Sequence, residues 1–317
     1  MSAKDFALAA NVIRGLAMDS VQAANSGHPG MPMGAADYAT VLFLKYMNYN
    51  PADPAWPNRD RFVLSAGHGA MLLYSLLHLS GYNLPMSELK LFRQWGSRTP
   101  GHPEYGHTPG VETTTGPLGQ GCAAAVGMAL AERMLAERFN TPDITLVDHR
   151  TYVICGDGDL MEGISHEAFS LAGHLGLNKL TVIYDSNRIS IEGSTDLACS
   201  DDPRKRFEGY GWNVLEIDGH NFEQIDAALA AANREPARPT MIIAKTHIAH
   251  GSPNMHDSAR AHGEPLGADE IKASKKNLGL PEDQAFYVPP AVYALFEQRK
   301  LEGEAKASAW NNLLGAY

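Results

Sequence analysis

Two apolar stretches of this chain each run into a short polar segment that could bind a metal ion and a phosphate. The stretch 152–155 leads directly into Gly-Asp-Gly at 156–158, and the stretch 180–184 leads into Asp-Ser-Asn at 185–187. Magnesium is usually held by one or two protein side chains, while phosphate oxygens and water fill its remaining octahedral positions. The pattern therefore predicts a magnesium-held diphosphate.

Both stretches are apolar, with Thr181 as the one exception, as strands buried on both faces of a parallel sheet are. A helix is predicted to begin at about Asp159, directly after the glycine turn. Asp157 would then lie at the carboxyl end of a strand and near a helix N-terminus, where free backbone N–H groups favour an anion. Asn187 would emerge beside it at the same sheet edge. Taken alone, Gly-Asp-Gly is more simply a turn and Asn187 a turn residue, and only the two strand contexts together favour a site.

Four histidines lie in loops that contain glycine or proline, which let an imidazole and the backbone approach a ligand closely. Imidazoles with a pKa near neutrality can donate hydrogen bonds to phosphate or hydroxyl oxygens and can move protons to a carbonyl that becomes an alcohol. A single loop histidine is more simply structural or solvated, but four in matching contexts predict a catalytic cleft. They are His28, His68, His102 and His262.

The other histidines and the cysteines carry weaker signals. His78, on an apolar helix, is predicted to be a satisfied core or surface histidine. A structural role is also predicted for His149, His166, His174 and His220, whereas the pattern does not decide the role of His107, His247, His250 and His256. The three widely spaced cysteines, Cys122, Cys155 and Cys199, fit neither a disulfide framework nor a zinc site and are predicted to be reduced, structural thiols.

Strand and helix patterns alternate along the chain, which is typical of a parallel sheet. We expect an α/β fold with one doubly wound, mostly parallel sheet and helices on both faces. This domain is predicted to span residues 1–288, and a C-terminal helical segment is predicted for 289–317. The predicted strands are 61–64, 152–155, 180–184, 213–217 and 240–245. The predicted helices include 6–24, 34–46, 71–79, 120–139 and 222–233.

Composition restricts the class of protein. Hydrophobic residues make up 44% of the chain and charged residues 20%, and no apolar run approaches the roughly 20 residues of a membrane span. The net charge of −10 argues against a nucleic-acid partner, which needs a basic face. No apolar signal core follows the N-terminus, so we expect a cytoplasmic protein without a membrane partner.

The Gly-Asp-Gly run with its downstream asparagine resembles the diphosphate-binding motif of the thiamine diphosphate enzymes. The resemblance implies thiamine diphosphate as cofactor, with Mg²⁺ or Ca²⁺ as the metal. It also implies the side chains of Asp157 and Asn187 as metal ligands, and the carbonyl of Ile189 as a third.

Five motifs in order along nearly the whole chain resemble transketolases, specifically the N-terminal, diphosphate-binding half. They are SGHPG at 26–30, GHPE at 101–104, TTGPLGQG at 114–121, GDGDLMEG at 156–163 and HGEPLG at 262–267. The resemblance implies transfer of a two-carbon ketol unit from a ketose phosphate to an aldose phosphate, in the pentose phosphate pathway.

The same resemblance implies roles for individual residues. His28 and His262 would meet substrate hydroxyls and assist proton transfer, while His68 and His102 would contact the cofactor and the donor sugar. Cofactor contacts are implied for Gly116, Pro117 and Leu118 on the thiazolium side and for Gly158 and Asn187 at the diphosphate. Glu162 and Glu167 match an acidic network between paired active sites, although solvent-facing carboxylates in a first helical turn are an equal alternative. Ala66, before Gly67-His68, departs from the usual asparagine, and residues 255–261 also depart.

Full-length transketolases are about twice this size, and their pyrimidine-binding part supplies further catalytic groups. The resemblance therefore implies a split subunit or an N-terminal fragment that is inactive until it meets a pyrimidine-binding half, in a homodimer or a heterotetramer that acts on sugar phosphates. Two alternatives remain. One is a subunit of another thiamine diphosphate enzyme, such as a 2-oxo acid dehydrogenase or a deoxyxylulose phosphate synthase, and the other is a non-catalytic cofactor-binding module.

Overall fold

The sheet at the centre of the molecule is parallel and five-stranded. In the computed structural model, which describes residues 1–317, the strands are β1 (Arg61–Leu64), β2 (Thr151–Gly156), β3 (Leu180–Ser186), β4 (Ile189–Ser190), β5 (Gly193–Ser194), β6 (Asn213–Asp218) and β7 (Thr240–Lys245). Five of them pair in the order β1-β2-β3-β7-β6 with every pairing parallel. All five predicted strands are confirmed. The short β4-β5 hairpin was not predicted, because two-residue strands carry no periodic pattern.

Helices cover both faces of this sheet, which confirms the predicted fold class. They are α1 (Ala3–Ala24), α2 (Gly30–Val41), α3 (Ala70–Leu79), α4 (Met86–Lys90), α5 (Gln120–Phe139), α6 (Asp157–Met161), α7 (Gly163–Leu175), α8 (Pro203–Gly209), α9 (Phe222–Arg234), α10 (Arg260–Gly263), α11 (Ala268–Asn277) and α12 (Pro290–Ala316). A π-helical turn at Leu42–Tyr46 extends α2. None of the helices combines the length and apolar character that a membrane crossing requires.

The alternation of side chains along β2 shows how the two faces are filled. Tyr152 and Ile154 belong to the larger apolar core, which α1, α2 and α3 complete. Val153 and Cys155 point to the opposite face and belong to the second core, with α5 and α7. Because both faces are buried, the strand is apolar throughout, as parallel strands are.

Several helices begin earlier than predicted, among them α1, which starts at Ala3 and not at 6. α2 starts at Gly30 and not at 34, because the proline in its first turn occupies a position whose N–H has no helical partner. The helix expected at about 159 starts at Asp157 and ends before Glu162, where the backbone becomes extended and α7 follows. Asp159 stabilises that start, since its carboxylate accepts the N–H of Gly156 at 2.9 Å.

The C-terminal helix α12 packs against the domain along its first turns. Val292 and Phe296 are fully buried in the larger core, and the guanidinium of Arg299 donates to the carbonyl of Met47 at 2.8 Å. The helical character of this segment is confirmed. The proposed boundary after residue 288 stays a prediction.

Candidate active site

A cavity of about 390 Å³ opens at the carboxyl edge of the sheet, where β1, β2 and β3 end. It collects residues that are far apart in the sequence, as expected for a site at this edge of a doubly wound fold. Predicted site residues in its wall are His28, His68, His102, Gly116, Asp157, Gly158, Asn187, Ile189 and His262 together with Leu118.

The four predicted histidines form one cluster. The ring of His28 lies 5.3 Å from that of His68, 6.4 Å from that of His102 and 5.6 Å from that of His262, measured between centroids. His68 and His262 stack at 4.9 Å with an interplanar angle of 25°. The cluster draws on the loop before α2, the turn after β1, the loop before α5, and α10.

Burial is the main reason that these imidazoles stay neutral. Burial, followed by the nearby charge of Arg93, lowers the pKa of His28 to about 4. Burial is also the main reason that the pKa values of His68, His102 and His262 lie below the usual value for histidine. Neutral imidazoles keep one donor and one acceptor nitrogen each, which is the state that proton transfer at neutral pH requires.

Arg93 fixes the tautomer of His28. Its guanidinium donates to Nδ1 of His28 at 3.2 Å and to the hydroxyl of Ser26 at 2.8 Å. With Nδ1 acting as acceptor, the proton of the neutral ring resides on Nε2, the nitrogen closer to Gly263 of α10. Arg93 was not predicted, since nothing in its local sequence distinguishes it from a surface arginine.

The carboxylate of Asp157 lies at the other side of the cavity. It accepts the hydroxyl of Tyr184 at 2.6 Å and is 9% exposed. Burial is the first cause that raises its pKa to about 6, and the neighbouring carboxylate of Asp185 adds to the effect. A buried carboxylate with this shift is favourable for binding a cation, because a cation would compensate the charge.

Asn187 is held in place by its neighbours on the same loop. Its amide donates to the buried carboxylate of Asp185 at 2.9 Å, and its Oδ1 accepts the N–H of Ile189 at 2.9 Å. Asp185 is itself anchored by the hydroxyl of Thr246 at 2.5 Å. Carboxylate, amide and carbonyl oxygens are the donors that Mg²⁺ and Ca²⁺ prefer, so the residues present fit such an ion.

Asp159 connects the turn after β1, the loop before α5 and the end of β2, and it was also missed as a site residue. Its carboxylate accepts the hydroxyl of Ser65 at 2.7 Å, the N–H of Gly119 at 2.8 Å and that of Gly156. The sequence signal that could have identified Asp159 is its position as a second carboxylate two residues after Asp157. Asp159 thereby holds the turn that carries Asp157 against the segments that carry Ser65 and Gly119.

Glycines keep the cavity open at two predicted positions. A Cβ on Gly158 would lie 2.8 Å from Cδ1 of Leu118, which lines the wall. Gly116 has φ +148° and lies against His102, where a side chain would be strained and crowded. The residues present therefore leave room for a ligand between the histidines and the acidic turn.

Three further predicted residues lie away from the cavity wall. Pro117 is exposed between Gly116 and Leu118. Glu162 is exposed at the junction of α6 and α7, next to Gly119, and Glu167 is exposed one turn further along α7. Their roles stay predictions.

Histidines outside the cluster mostly have structural partners. His78, as predicted, is satisfied, because Nδ1 donates to the carbonyl of Leu84 at 2.8 Å and Nε2 accepts the hydroxyl of Tyr293 at 2.9 Å. His107 donates to the carbonyl of Ser97 at 2.8 Å. The three cysteines are free, as predicted, with Cys122 and Cys155 buried.

A parallel sheet whose strand ends bring together a carboxylate, an amide and four imidazoles defines a cofactor-binding α/β domain. Residues 6–317 match the family described as transketolase, thiamine diphosphate binding domain. The chain belongs to this transketolase family.

Individual relatives agree with that assignment. A transketolase from Halalkalibacterium halodurans is 57% identical over 98% of this chain. The solved transketolase of Leishmania mexicana superposes with a TM-score of 0.98 at 49% identity and covers 100% of this chain. A Pichia stipitis transketolase, solved in complex with sedoheptulose-7-phosphate, superposes with a TM-score of 0.97 at 46% identity over 99% of this chain.

The match covers only part of each relative. The chain spans 46% of the Halalkalibacterium protein and 47% of each of the two solved chains. It therefore spans about half the length of the relatives it matches.

Proposed function

We propose that this chain is the diphosphate- and metal-binding half of a cytoplasmic transketolase, which transfers a two-carbon ketol unit between sugar phosphates. The observation that carries the proposal is the convergence of His28, His68, His102 and His262 in the same cavity as Asp157 and Asn187. A metal-diphosphate site alone would suit many reactions. The added cluster of neutral imidazoles suits a polyhydroxylated substrate and proton transfer at its carbonyl.

Asp157, Asn187 and the carbonyl of Ile189 would hold Mg²⁺ or Ca²⁺, and the backbone around Gly158, at the start of α6, would face the diphosphate. The raised pKa of Asp157 supports this role, because its buried charge lacks a cationic partner. Thiamine diphosphate, when bound, supplies the carbanion that carries the two-carbon unit. The protein's own task is to orient the reactants and to move protons.

His28 and His262 are the proposed proton-transfer pair. Nε2–H of His28 is available as a donor, because Arg93 occupies Nδ1 from the other side. A donor of this kind can hydrogen-bond a sugar hydroxyl or stabilise a carbonyl oxygen that gains negative charge. The low pKa of His28, about 4, keeps the ring from becoming a fixed cation that would repel the metal. His102 and His68 are proposed contacts to donor sugar and cofactor.

Sugar phosphates are the proposed substrates. The Pichia stipitis relative was solved with sedoheptulose-7-phosphate, and the four-histidine cavity offers donors and acceptors for sugar hydroxyls. A pyrimidine-binding half is the proposed partner that completes the active site, because this chain matches about half of each relative.

A homodimer or a heterotetramer is proposed on the basis of one outward-facing surface. α5 and α7 pack side by side, and Leu171 is 47% exposed on α7 while Met134 is 64% exposed on α5. Glu162 and Glu167 are exposed near the start of α7. Exposed apolar side chains beside carboxylates suit an interface at which an acidic network would lie between paired sites.

Reconstitution tests the proposed function. The purified chain is assayed for ketol transfer with thiamine diphosphate, Mg²⁺, a ketose phosphate and an aldose phosphate, alone and with the C-terminal half of the Halalkalibacterium transketolase. We expect no turnover by the chain alone and turnover with the added half. Substantial turnover by the chain alone would refute the half-site proposal. Magnesium-dependent cofactor binding without turnover in either mixture would favour a non-catalytic module.

A further inference from the structure

A second cluster of histidines lies beyond the end of β7 and does not line the cavity. Nδ1 of His247 lies 2.8 Å from Oδ2 of Asp257, and Nε2 of His256 lies 3.5 Å from the same oxygen. The two imidazole rings are 4.5 Å apart between centroids, with an interplanar angle of 31°. All three side chains are exposed to solvent. We call these three residues the β7 trio.

We propose that the β7 trio binds one late first-row transition-metal ion, Zn²⁺ being the best match, through two imidazoles and one carboxylate. One ligand atom from each residue lies within 4.8 Å of the others. In a tetrahedral zinc site with bonds of about 2.0–2.1 Å, ligand atoms are separated by roughly 3.3 Å. The measured separations from the carboxylate oxygen, 2.8 and 3.5 Å, lie on either side of that value. Water would complete the coordination from the open side.

The backbone already holds the trio in position. Asp257 has φ +58°, and its N–H donates to the carbonyl of Ile248 at 3.1 Å, so residue 257 is tied to the residue after His247. The N–H of His247 donates to Nε2 of His220 at 3.1 Å. The first bond joins the two ends of the intervening loop, and the second ties its start to the segment between β6 and α9. A site with this much preorganisation loses less entropy when it binds an ion.

A neighbouring group, Asp37 with His220 and His250, also has ligand atoms within 4.8 Å of one another but does not offer a comparable site. Oδ2 of Asp37 already accepts from Arg14 at 2.6 Å and from Nδ1 of His220 at 2.8 Å. With Nε2 bonded to the backbone, His220 has no free nitrogen. The rings of His220 and His250 are stacked at 3.7 Å and 15°, so their nitrogens do not converge on one point. This group contacts the β7 trio through the bond from His247 to His220, and its own nitrogens are not arranged to bind a metal ion.

The donor set selects the class of ion. Imidazoles suit Zn²⁺, Cu²⁺, Ni²⁺ and Co²⁺, whereas Mg²⁺ and Ca²⁺ prefer oxygen ligands. The site at Asp157 and Asn187 has oxygen donors, so the two sites should differ in selectivity. Excess Mg²⁺ should therefore leave the β7 trio free for Zn²⁺.

Calorimetric titration of the full chain with Zn²⁺ in excess Mg²⁺ tests the proposal, and the visible absorption of Co²⁺ reports the coordination geometry. We expect one strong binding event, weakened at least about 10-fold by His247→Gln, His256→Gln or Asp257→Asn. Asparagine tolerates the left-handed backbone at 257. His174→Gln, at an exposed histidine on α7, is the matched control and should leave binding unchanged.

The four-histidine cavity is a competing location for the metal. The variant His262→Gln shows whether Zn²⁺ binds there. Loss of the strong Zn²⁺ event in His262→Gln, with binding retained in the three trio variants, would overturn the proposal. Weak binding that none of the variants alters would overturn it as well. Circular dichroism and thermal unfolding of each variant in EDTA show whether the fold is retained, so that loss of binding is assigned to the removed ligand.

Discussion

The imidazole of His28 stands at 89° to that of His262 with 5.6 Å between ring centroids, although the two residues lie near opposite ends of the chain. His28 follows α1, whereas His262 lies on α10 after the last strand of the sheet. Such an edge-on contact between neutral rings places the edge of one ring against the face of the other. The pair is thus a direct link between the first and last parts of the proposed active site.

Replacing His262 by asparagine should slow ketol transfer by the reconstituted enzyme about 100-fold or more, because a positioned proton-transfer group contributes at least that much. Steady-state kinetics with both sugar phosphates measure the loss. Magnesium-dependent cofactor binding should persist. His107→Asn, at a loop histidine bonded to the carbonyl of Ser97, is the control and should retain kcat. Equal kcat in the two variants would remove His262 from the mechanism.

Replacing Asp157 by asparagine should weaken magnesium-dependent cofactor binding at least about 10-fold, since a charged ligand is lost. In the metal-free protein the same change should raise the free energy of unfolding at pH 8, because the wild-type carboxylate is buried with a raised pKa. Calorimetry and urea unfolding measure the two effects. Asp143→Asn, at an exposed loop residue, should change neither. A destabilised metal-free Asp157→Asn variant would contradict the prediction.

Replacing Gly158 by alanine should weaken cofactor binding about 10-fold with little loss of stability. The new Cβ would press on Cδ1 of Leu118, the free end of a flexible side chain that can shift only at the expense of the cavity. Gly127→Ala on α5 is the control, because its Cβ meets nothing within 4 Å. That variant should gain roughly 0.5–1 kcal/mol of stability and bind the cofactor normally. Calorimetry measures the cofactor affinity of each variant, and thermal unfolding measures its stability. Equal cofactor affinity in the two variants would contradict the prediction.

Acid should destabilise the chain partly through His149. Burial, followed by the charges of Arg61 and Lys179, lowers its pKa to about 3, below the usual 6.5. The unfolded chain therefore binds this proton more readily, and stability is lost as the pH falls from about 6.5 towards 3. His149→Gln should flatten this pH dependence by up to about 1.4 kcal/mol per pH unit. Urea unfolding from pH 7 to 4.5 measures the slopes, and parallel curves would exclude His149 as a source.

Replacing Leu171 by glutamate should weaken self-association, because a charge would enter the proposed interface beside α5. Analytical ultracentrifugation over a range of concentrations measures the effect. Leu197→Glu is the control, since Leu197 is 76% exposed on a different part of the surface. An unchanged association constant for Leu171→Glu would place the interface elsewhere.

The strand ends were predictable because a buried parallel strand and a following glycine turn are both local signals. The run 152–158 contains the apolar strand and Asp157 together, so the sheet edge and the acidic residue follow from one stretch of sequence. The four loop histidines were found through their glycine and proline neighbours. The structure brings all four into one cavity, at the edge that parallel strand ends share.

The contacts that tune these residues could not be predicted, because they depend on non-local packing. Arg93 binds His28 across 65 positions, and Tyr184 binds Asp157 from the neighbouring strand. Neither residue has a distinctive local pattern. The roles of His247 and His256 were undecided from the sequence and Asp257 was not singled out, since only the folded loop brings His247 and Asp257 together.

The long sequence separation between His28 and His262 also limits when the histidine cluster can form during synthesis on the ribosome. A chain that emerges from its N-terminus exposes His28 long before α10 has been synthesised, so the histidine cluster cannot close before α10 has emerged. Contacts this distant in sequence also form slowly, because closing a long loop costs entropy. A cofactor that binds only the closed site cannot stabilise the nascent domain until that point. Under the proposed function, completion of the last strand and of α10 would precede cofactor binding by the domain.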